Sequence, residues 1–225
     1  LDSVALVSSS DAHSPDKLGR EATVLELASL TFASLTNALR NSAPARYDTH
    51  HAHRIIETIE FFPEEGKYHY DGHRACNVRC APSETKKYFA TCPQCKKPMT
   101  VGVLSRVDKL SDRAEGFVPP RAPTFRSAVP LLEVIAEAFD VRSVTPRVRA
   151  QYDALTSRVG NEFAVLLDVS LDAIASVAPT EVVEAIRRVR AGELTIVPGY
   201  DGEFGTVRIF TAEHPRPVAK QRALL

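Results

Sequence analysis

Short apolar runs in the first half of the chain predict β-strands at four places, 4–7, 54–62, 66–71 and 100–104. The first run ends at polar residues 8–11, which is typical of a buried strand whose carboxyl end carries polar groups. Apolar residues at spacings of three and four predict one helix over 31–40. A short helix is predicted to follow the last strand and to reach about Arg113.

The second half of the chain changes to a helical pattern. Apolar residues recur at helical spacing in four stretches, Leu131–Phe139, Val148–Val159, Leu171–Val177 and Val182–Val189. Thr145-Pro146 is a start signal for the second helix, and Ala191-Gly192 is a stop signal for the fourth. Residues 194–197 and 206–210 predict a β-hairpin. The fold class predicted from these patterns is α+β.

Composition narrows the classes of protein. The 225 residues include 28 basic and 28 acidic side chains, and no run approaches the roughly 18 apolar residues that a membrane span needs. No secretory signal is visible, so a cytoplasmic protein without a membrane partner is predicted. Residues 67–126, however, contain twelve basic and five acidic side chains, a net charge of +7 that favours a polyanionic partner. The alternative is a solvated, lysine-rich surface.

All four cysteines fall in one short segment, as Cys76-x3-Cys80 and Cys92-x2-Cys95. The second pair is a zinc knuckle in form, because two thiolates two residues apart can bind one tetrahedral metal. The fourth ligand is either Cys80, with a looser spacing, or His73, which precedes Cys76 by three positions. Four protein ligands predict a structural Zn²⁺ rather than a catalytic one. Unbound structural thiols are the alternative.

Asp11 and His13 follow the first predicted strand directly. Alternate residues of an extended chain project to one side, so this carboxylate and imidazole could share one metal ion or two adjacent ones. An isolated Asp-x-His is a weak signal, and the alternative is an ordinary loop carboxylate beside a surface histidine.

Longer motifs around these residues carry a resemblance that covers nearly the whole chain. They are Ser9–Ala22 with its Asp-Ala-His, Thr58–Arg74, the Cys-Pro-x-Cys knuckle, Thr100–Arg113, Arg121–Arg126 and Pro198–Arg208. The first resembles the last metal motif of PHP (polymerase and histidinol phosphatase) phosphoesterases. The set as a whole resembles the endonuclease Q family of DNA repair nucleases.

The resemblance implies a metal-dependent endonuclease that cuts DNA on the 5′ side of uracil, hypoxanthine or an abasic site. Asp11 and His13 would be catalytic residues and ligands of divalent metals, Zn²⁺, Mg²⁺ or Mn²⁺. The family's other metal ligands precede this motif, and the chain begins at Leu1, not Met, directly before the first predicted strand. We therefore expect a C-terminal part with an incomplete catalytic site.

The implied architecture has three consecutive domains: the end of a PHP-type α/β barrel over 1–45, a small zinc-bound β module over 46–118, and a mainly helical domain with a terminal hairpin over 119–225. Two other functions remain open. One is a non-catalytic zinc-ribbon DNA-binding module, and the other is a PHP phosphoesterase acting on small phosphate esters.

The predicted partner is DNA, and the family resemblance implies that this DNA is damaged. Cations interleaved with aromatic side chains suit phosphate contact and base stacking. The predicted DNA-binding residues are Lys67, Tyr68, Tyr70, Arg74, Arg79, Arg106, Arg113, Arg121 and Arg126. Gln221-x-x-Leu224 could open a sliding-clamp peptide, but the chain stops before the aromatic residues of that motif.

Overall fold

A computed structural model describes residues 2–119, 122–142 and 144–217. The chain divides into two compact units, one formed by the described residues of Leu1–Pro63 and Leu104–Ser127, the other by those of Glu64–Val103 and Ala128–Leu225. Small sheets and several helices make up the described residues, so the α+β class is confirmed. The division into three consecutive domains stays a prediction.

The strands are β1 (Ala22–Leu27), β2 (His53–Glu60), β3 (Asp71–His73), β4 (Val78–Cys80), β5 (Thr124–Ser127), β6 (Thr195–Val197) and β7 (Thr206–Arg208). The α-helices are α1 (Phe32–Asn41), α2 (Pro82–Lys87), α3 (Val103–Leu110), α4 (Leu131–Ala138), α5 (Pro146–Arg158), α6 (Leu171–Ala175) and α7 (Thr180–Ala191). A π-helical segment covers Ala164–Asp168.

A three-stranded sheet in the order β1-β2-β5 organises the first unit. β1 pairs antiparallel with β2, and β5 pairs parallel with it. Helix α1 covers the sheet: Ala38 is buried, and the Ser42 hydroxyl accepts a hydrogen bond from the Ile55 backbone N–H at 2.6 Å. A buried hydroxyl therefore joins the end of α1 to the middle strand.

Three of the four strands predicted in the first half are wrong or displaced. Residues 4–7 form no strand, and Val4, Leu6 and Val7 are exposed because this run pairs with no strand of the described residues. Most of 66–71 consists of turns, and β3 begins only at Asp71. In 100–104, only Thr100 makes an isolated bridge, and α3 begins at Val103.

The helical predictions are confirmed. Within the second unit, α4 to α7 bury large apolar side chains at the predicted spacings, including Leu131, Ile135, Val148, Leu155, Ile174 and Ile186. The Thr145 hydroxyl accepts a hydrogen bond from the Val148 backbone N–H and caps α5. Gly192, at a φ of +67°, ends α7 in the left-handed conformation that glycine adopts without strain. β6 and β7 form the predicted hairpin.

Two carboxylates, Glu162 and Glu137, accept hydrogen bonds from backbone N–H groups and connect α4 to other parts of the unit. Glu162 accepts hydrogen bonds from the Leu131 N–H at 2.8 Å and from the Tyr152 hydroxyl at 2.9 Å. Burial and this bond to Glu162 raise the pKa of Tyr152 to about 12. Glu137, on α4, accepts from the N–H groups of Ile209 and Phe210 at 2.8 and 3.0 Å. The segment after β7 is thereby attached to the helical core.

Glu184 on α7 gives a prediction for the pH dependence of stability. Arg187 makes two hydrogen bonds to this carboxylate and, against the effect of burial and together with Arg188, lowers its pKa from 4.5 to about 2. A carboxyl whose pKa falls on folding stabilises the native state above its unfolded pKa. We expect Glu184→Gln to lower the free energy of unfolding by about 1 kcal/mol at pH 7, after allowing for solvent screening.

The difference between Glu184→Gln and the parent protein should shrink as the pH falls from about 4.5 toward about 2. Urea titrations across that range measure it, with Glu133→Gln, an exposed position on α4, as the control. A difference independent of pH would contradict the ionic origin of the effect.

Candidate metal centre and nucleic-acid interface

Four potential metal ligands converge in the second unit. The ligand atoms of His73, Cys76, Cys92 and Cys95 all lie within 4.8 Å of one another, and the His73 Nδ1 lies 3.4 Å from the Cys95 Sγ. Zinc–sulfur bonds of about 2.3 Å place the sulfurs of a tetrahedral site roughly 3.8 Å apart, so one ion fits this spacing. One histidine and three cysteines form a closed ligand set of the structural type.

Two turns bring the ligands together. His73 ends β3, and Cys76 lies in the 3₁₀ turn that follows. Asn77 then takes a φ of +51° and reverses the chain into β4. In the knuckle, the Lys96 N–H donates to the Cys92 carbonyl at 2.9 Å, with Lys96 itself at a φ of +61°. In each turn, a residue in the left-handed backbone conformation directly follows the last ligand: Asn77 follows Cys76, and Lys96 follows Cys95.

Cys80 lies outside the ligand cluster. Its side chain is 4% exposed on β4 and packs with Val78, Cys92 and Met99 in the small apolar core of the module. The geometry therefore favours His73 over Cys80 as the fourth ligand. Cys80 instead behaves as a small apolar residue, which is common for a buried free thiol.

The pKa values of two thiols in the cluster shift in opposite directions. Burial acts to raise the pKa of Cys92, but hydrogen bonds from the backbone N–H groups of Cys95 and Gln94 outweigh it and lower the pKa to about 6. The hydrogen bond to Cys95, with burial, raises the pKa of Cys76 to about 11. Cys92 is therefore more readily a thiolate at neutral pH than Cys76, and a metal that binds both displaces the proton of Cys76.

Asp11 and His13 lie in an exposed loop of the first unit, without the strand that was predicted to precede them. Asp11 has a φ of +47°, so the Asp-Ala-His segment is not extended as expected. The His13 Nδ1 lies 2.7 Å from the Asp11 carbonyl oxygen. A proton on Nδ1 would donate to that oxygen and leave Nε2 with a lone pair for a metal. Within the described residues, no further His, Cys, Asp or Glu joins the pair in a metal-binding group.

Several predicted DNA-binding residues of the second unit surround one loop, 198–205. The Lys67 Nζ lies 5.6 Å from the ring centroid of Tyr68, which is 46% exposed. A Cβ atom on Gly202 would lie 3.7 Å from both the Arg74 Nη1 and the Tyr68 hydroxyl. The Arg79 guanidinium lies over the Tyr200 ring and donates to the Pro198 carbonyl at 3.2 Å. Lys67, Arg74 and the exposed ring of Tyr68 thus lie on one surface.

The other predicted DNA-binding residues are placed differently. Tyr70 is half-buried, and its N–H donates to the Gly199 carbonyl, so its backbone supports the loop. Arg113 pairs with Asp2 and Arg126 pairs with Glu57, which engages both guanidinium groups within the first unit. Arg106 is exposed on α3. Arg121, Gln221 and Leu224 lie outside the described residues.

Asp201 is a residue of this surface that no sequence motif indicates. Its two carboxylate oxygens accept hydrogen bonds from the Thr100 hydroxyl at 2.5 Å and from the Arg74 backbone N–H at 2.6 Å. These bonds lower the pKa of Asp201 despite partial burial. The carboxylate therefore ties loop 198–205 to the turn that carries the metal ligands. The glycine-rich sequence of the loop was a signal for a tight turn, but no sequence pattern indicates its partner.

Family models match two parts of the chain. A model described as the MJ0043 C-terminal domain matches residues 130–193, and one described as PHP-associated matches residues 3–44. The chain is 30% identical over 214 residues to the uncharacterized protein MJ0043 of Methanocaldococcus jannaschii, and 29% identical over 209 residues to the uncharacterized protein YqxK of Bacillus subtilis. Each match covers 92% of this chain, but 26% and 48% of those relatives.

Two solved structures share the fold. The lesion-specific endonuclease PfuEndoQ from Pyrococcus furiosus matches 93% of this chain with a TM-score of 0.79 and 29% identity. An endonuclease Q in complex with a 27-mer duplex substrate, with an abasic lesion at its active site, matches 100% of this chain with a TM-score of 0.76 and 28% identity. This chain covers 50% and 54% of those two chains. The resemblance to the endonuclease Q family is confirmed.

Proposed function

We propose that this chain, which resembles endonuclease Q, functions as part of a metal-dependent DNA repair endonuclease. This enzyme would cut one DNA strand on the 5′ side of a deaminated base or an abasic site. The observation that carries the proposal is the similarity to a lesion-specific endonuclease across at least 93% of the chain. The chain spans about half the length of those two proteins, and we propose the same activity and substrate for it.

The His73, Cys76, Cys92 and Cys95 cluster supports a structural Zn²⁺ in this function. Its four ligands leave no coordination position for a substrate, so the ion would fix the surface that carries Lys67, Tyr68 and Arg74 rather than react. DNA would be held there through phosphate contacts. No membrane partner is proposed, and no helix of the described residues combines the length and apolarity of a membrane span.

Asp11 and His13 are proposed as ligands of the catalytic metals, Zn²⁺, Mg²⁺ or Mn²⁺. When bound, such metals activate a water and neutralise charge on the leaving oxygen. The bond between His13 and the Asp11 carbonyl supports this role, because it leaves Nε2 available to a metal. Two ligands alone do not complete a catalytic site.

A cleavage assay on the native protein tests the proposal. The substrates are duplexes that differ at one position, which carries uracil, hypoxanthine, an abasic site or the undamaged base. We expect the three damaged duplexes to be nicked on the 5′ side of the lesion and the undamaged duplex to stay intact. Asp11→Asn, at an exposed loop position, should leave DNA affinity unchanged and reduce cleavage at least tenfold. Hydrolysis of soluble phosphomonoesters, without any preference for damaged DNA, would instead support the small-ester phosphoesterase.

The salt dependence of binding separates DNA recognition from a merely solvated surface. Removal of one phosphate contact lowers the slope of log K against log salt by about 1. We expect Lys67→Ala and Arg74→Ala each to have this effect in fluorescence anisotropy, whereas Arg46→Ala, at an exposed position of the first unit, should have none. A slope near zero for the parent protein would rule out phosphate contacts. Binding without cleavage in any native form would support the zinc-ribbon alternative.

A further inference from the structure

An exposed phenylalanine of the second unit shares a cation with Tyr68. Phe204, in loop 198–205, is 74% exposed, and the Lys67 Nζ lies 5.7 Å from its ring centroid and 5.6 Å from that of Tyr68. The two rings therefore flank one ammonium group, and we call Lys67, Tyr68 and Phe204 the aromatic clamp.

The loop that presents Phe204 is held by backbone hydrogen bonds on both sides of the ring. The N–H groups of Gly199 and Gly205 donate to the carbonyls of Glu64 and Glu65, at 2.8 and 3.0 Å, and the Gly202 N–H donates to the Lys67 carbonyl at 2.9 Å. Tyr200 and Glu203 exchange two backbone hydrogen bonds across the turn. Because the loop is fixed, little conformational entropy would be lost when a ligand contacts its exposed ring.

The approach of the loop to segment 64–74 is too close for any residue larger than glycine. A Cβ on Gly205 would lie 2.0 Å from the Glu64 carbonyl oxygen, and one on Gly199 would lie 2.5 Å from the Gly66 carbonyl oxygen. Both contacts are with backbone atoms, which cannot rotate away. The glycines thus hold Phe204 and Tyr68 on the same surface.

We propose that the aromatic clamp binds an unpaired nucleotide, with the base stacked on Phe204 or Tyr68 and a neighbouring phosphate on Lys67 and Arg74. Aromatic rings interleaved with cations are the combination that binds single-stranded nucleic acid, since every base has a face that stacks and every nucleotide a charge. An apolar peptide would gain nothing from the two cations. This inference rests on the proposed function, because it assumes that DNA is the partner, and it adds a stacking residue, Phe204.

Affinity for two oligonucleotides tests the clamp. One is a fully paired duplex, and the other is the same duplex with a short single-stranded gap. Stacking on an aromatic side chain contributes about 1–3 kcal/mol per base, so Phe204→Ala should weaken binding of the gapped DNA by about fivefold to 150-fold. The paired duplex should change less than about threefold. Phe204→Tyr should restore binding, and Phe32→Ala, at an 84% exposed phenylalanine of α1, should leave both affinities unchanged.

A spectroscopic measurement reports stacking directly. The chain contains no tryptophan, so Phe204→Trp introduces a single one, and Phe32→Trp gives the matched control. A base stacked on the indole quenches its fluorescence. We expect the gapped oligonucleotide to quench the emission of Phe204→Trp at saturation and to leave that of Phe32→Trp unchanged.

The outcomes separate this inference from the proposed function. Equal losses of paired and gapped binding in Phe204→Ala would make Phe204 a support of the loop and overturn stacking. Unchanged gapped binding in that variant, or unquenched Phe204→Trp with DNA bound, would also overturn the clamp while leaving DNA binding intact. A parent protein that binds neither oligonucleotide at low salt would overturn both.

Discussion

Cys92→Ala is expected to release the metal and to remove the fixed structure of the module that the ligands enclose. Cys92 is fully buried, and its thiolate is the one favoured at neutral pH. Among the described residues, the buried apolar cluster around it consists of Val78, Cys80 and Met99, which is too small to hold residues 64–103 without a metal. Structural zinc sites contribute about 10 kcal/mol or more to folding in small domains. Loss of one ligand should therefore cost more than the core packing can supply.

The measurements are metal content per chain and thermal unfolding followed by circular dichroism. We expect about one zinc per parent chain and almost none in Cys92→Ala, with a separate, lower transition for the second unit. Cys80→Ala is the matched control, since it removes a buried thiol outside the cluster and should retain the metal. If Cys92→Ala kept its zinc and Cys80→Ala lost it, the proposed ligand set would be contradicted. His73→Ala should behave as Cys92→Ala does.

The metal cluster shows both what spacing predicts and where it stops. Two cysteines separated by two residues predict a chelating turn, because that turn is short and local. Spacing does not decide between His73 and Cys80 as the fourth ligand, since the choice depends on the reversal at Asn77 and on the pairing of β3 with β4. Neither a residue in the left-handed conformation nor a three-residue strand produces a recognisable hydrophobic pattern in a sequence. The ligand set therefore follows from tertiary pairing rather than from spacing.

The same reason separates the confirmed helices from the misplaced strands. Helices α4, α5 and α7 carry apolar residues over two or more turns and have recognisable ends at Thr145 and Gly192, so local patterns suffice. The run at 100–104 is too short to distinguish strand from helix. Its outcome is decided by the buried Asp71, whose carboxylate accepts from the Gly102 N–H at 2.5 Å just before α3 begins. Strand β4 lacks any extended apolar run.

Loop 198–205 links the hairpin of the helical region to the metal cluster by contacts that no local pattern indicates. Asp201 accepts from Arg74, one residue after the ligand His73, and the Tyr200 hydroxyl donates to the Asn77 side chain at 2.9 Å. The loop therefore contacts the turn on which the metal ligands lie. Metal binding and presentation of Phe204 should be coupled, because both need the same turn to be in place.

Gly205→Ala is expected to displace this loop and to destabilise the second unit by about 3 kcal/mol, more than a hundredfold in the folding equilibrium. The new Cβ would lie 2.0 Å from the Glu64 carbonyl oxygen and 2.7 Å from the Gly199 nitrogen and the Val197 carbonyl oxygen. All three are backbone atoms, so relief requires the loop to move away from Glu64 and the backbone at Val197 and Gly199 to shift as well. The hydrogen bond from the Gly205 N–H to Glu65 would be lost in that movement.

Gly192→Ala provides the contrast, because its cost comes from backbone conformation alone. Gly192 has a φ of +67°, and an added Cβ would meet nothing within 4 Å, so the left-handed conformation should cost about 1 kcal/mol. Urea unfolding of both variants gives the free energies, and anisotropy with gapped DNA reports on the aromatic clamp. We expect Gly205→Ala to lose gapped-DNA affinity as Phe204→Ala does, and Gly192→Ala to retain it. Equal destabilisation by the two substitutions would show that the loop yields to the clash, and that its close approach to segment 64–74 is not what holds Phe204 in place.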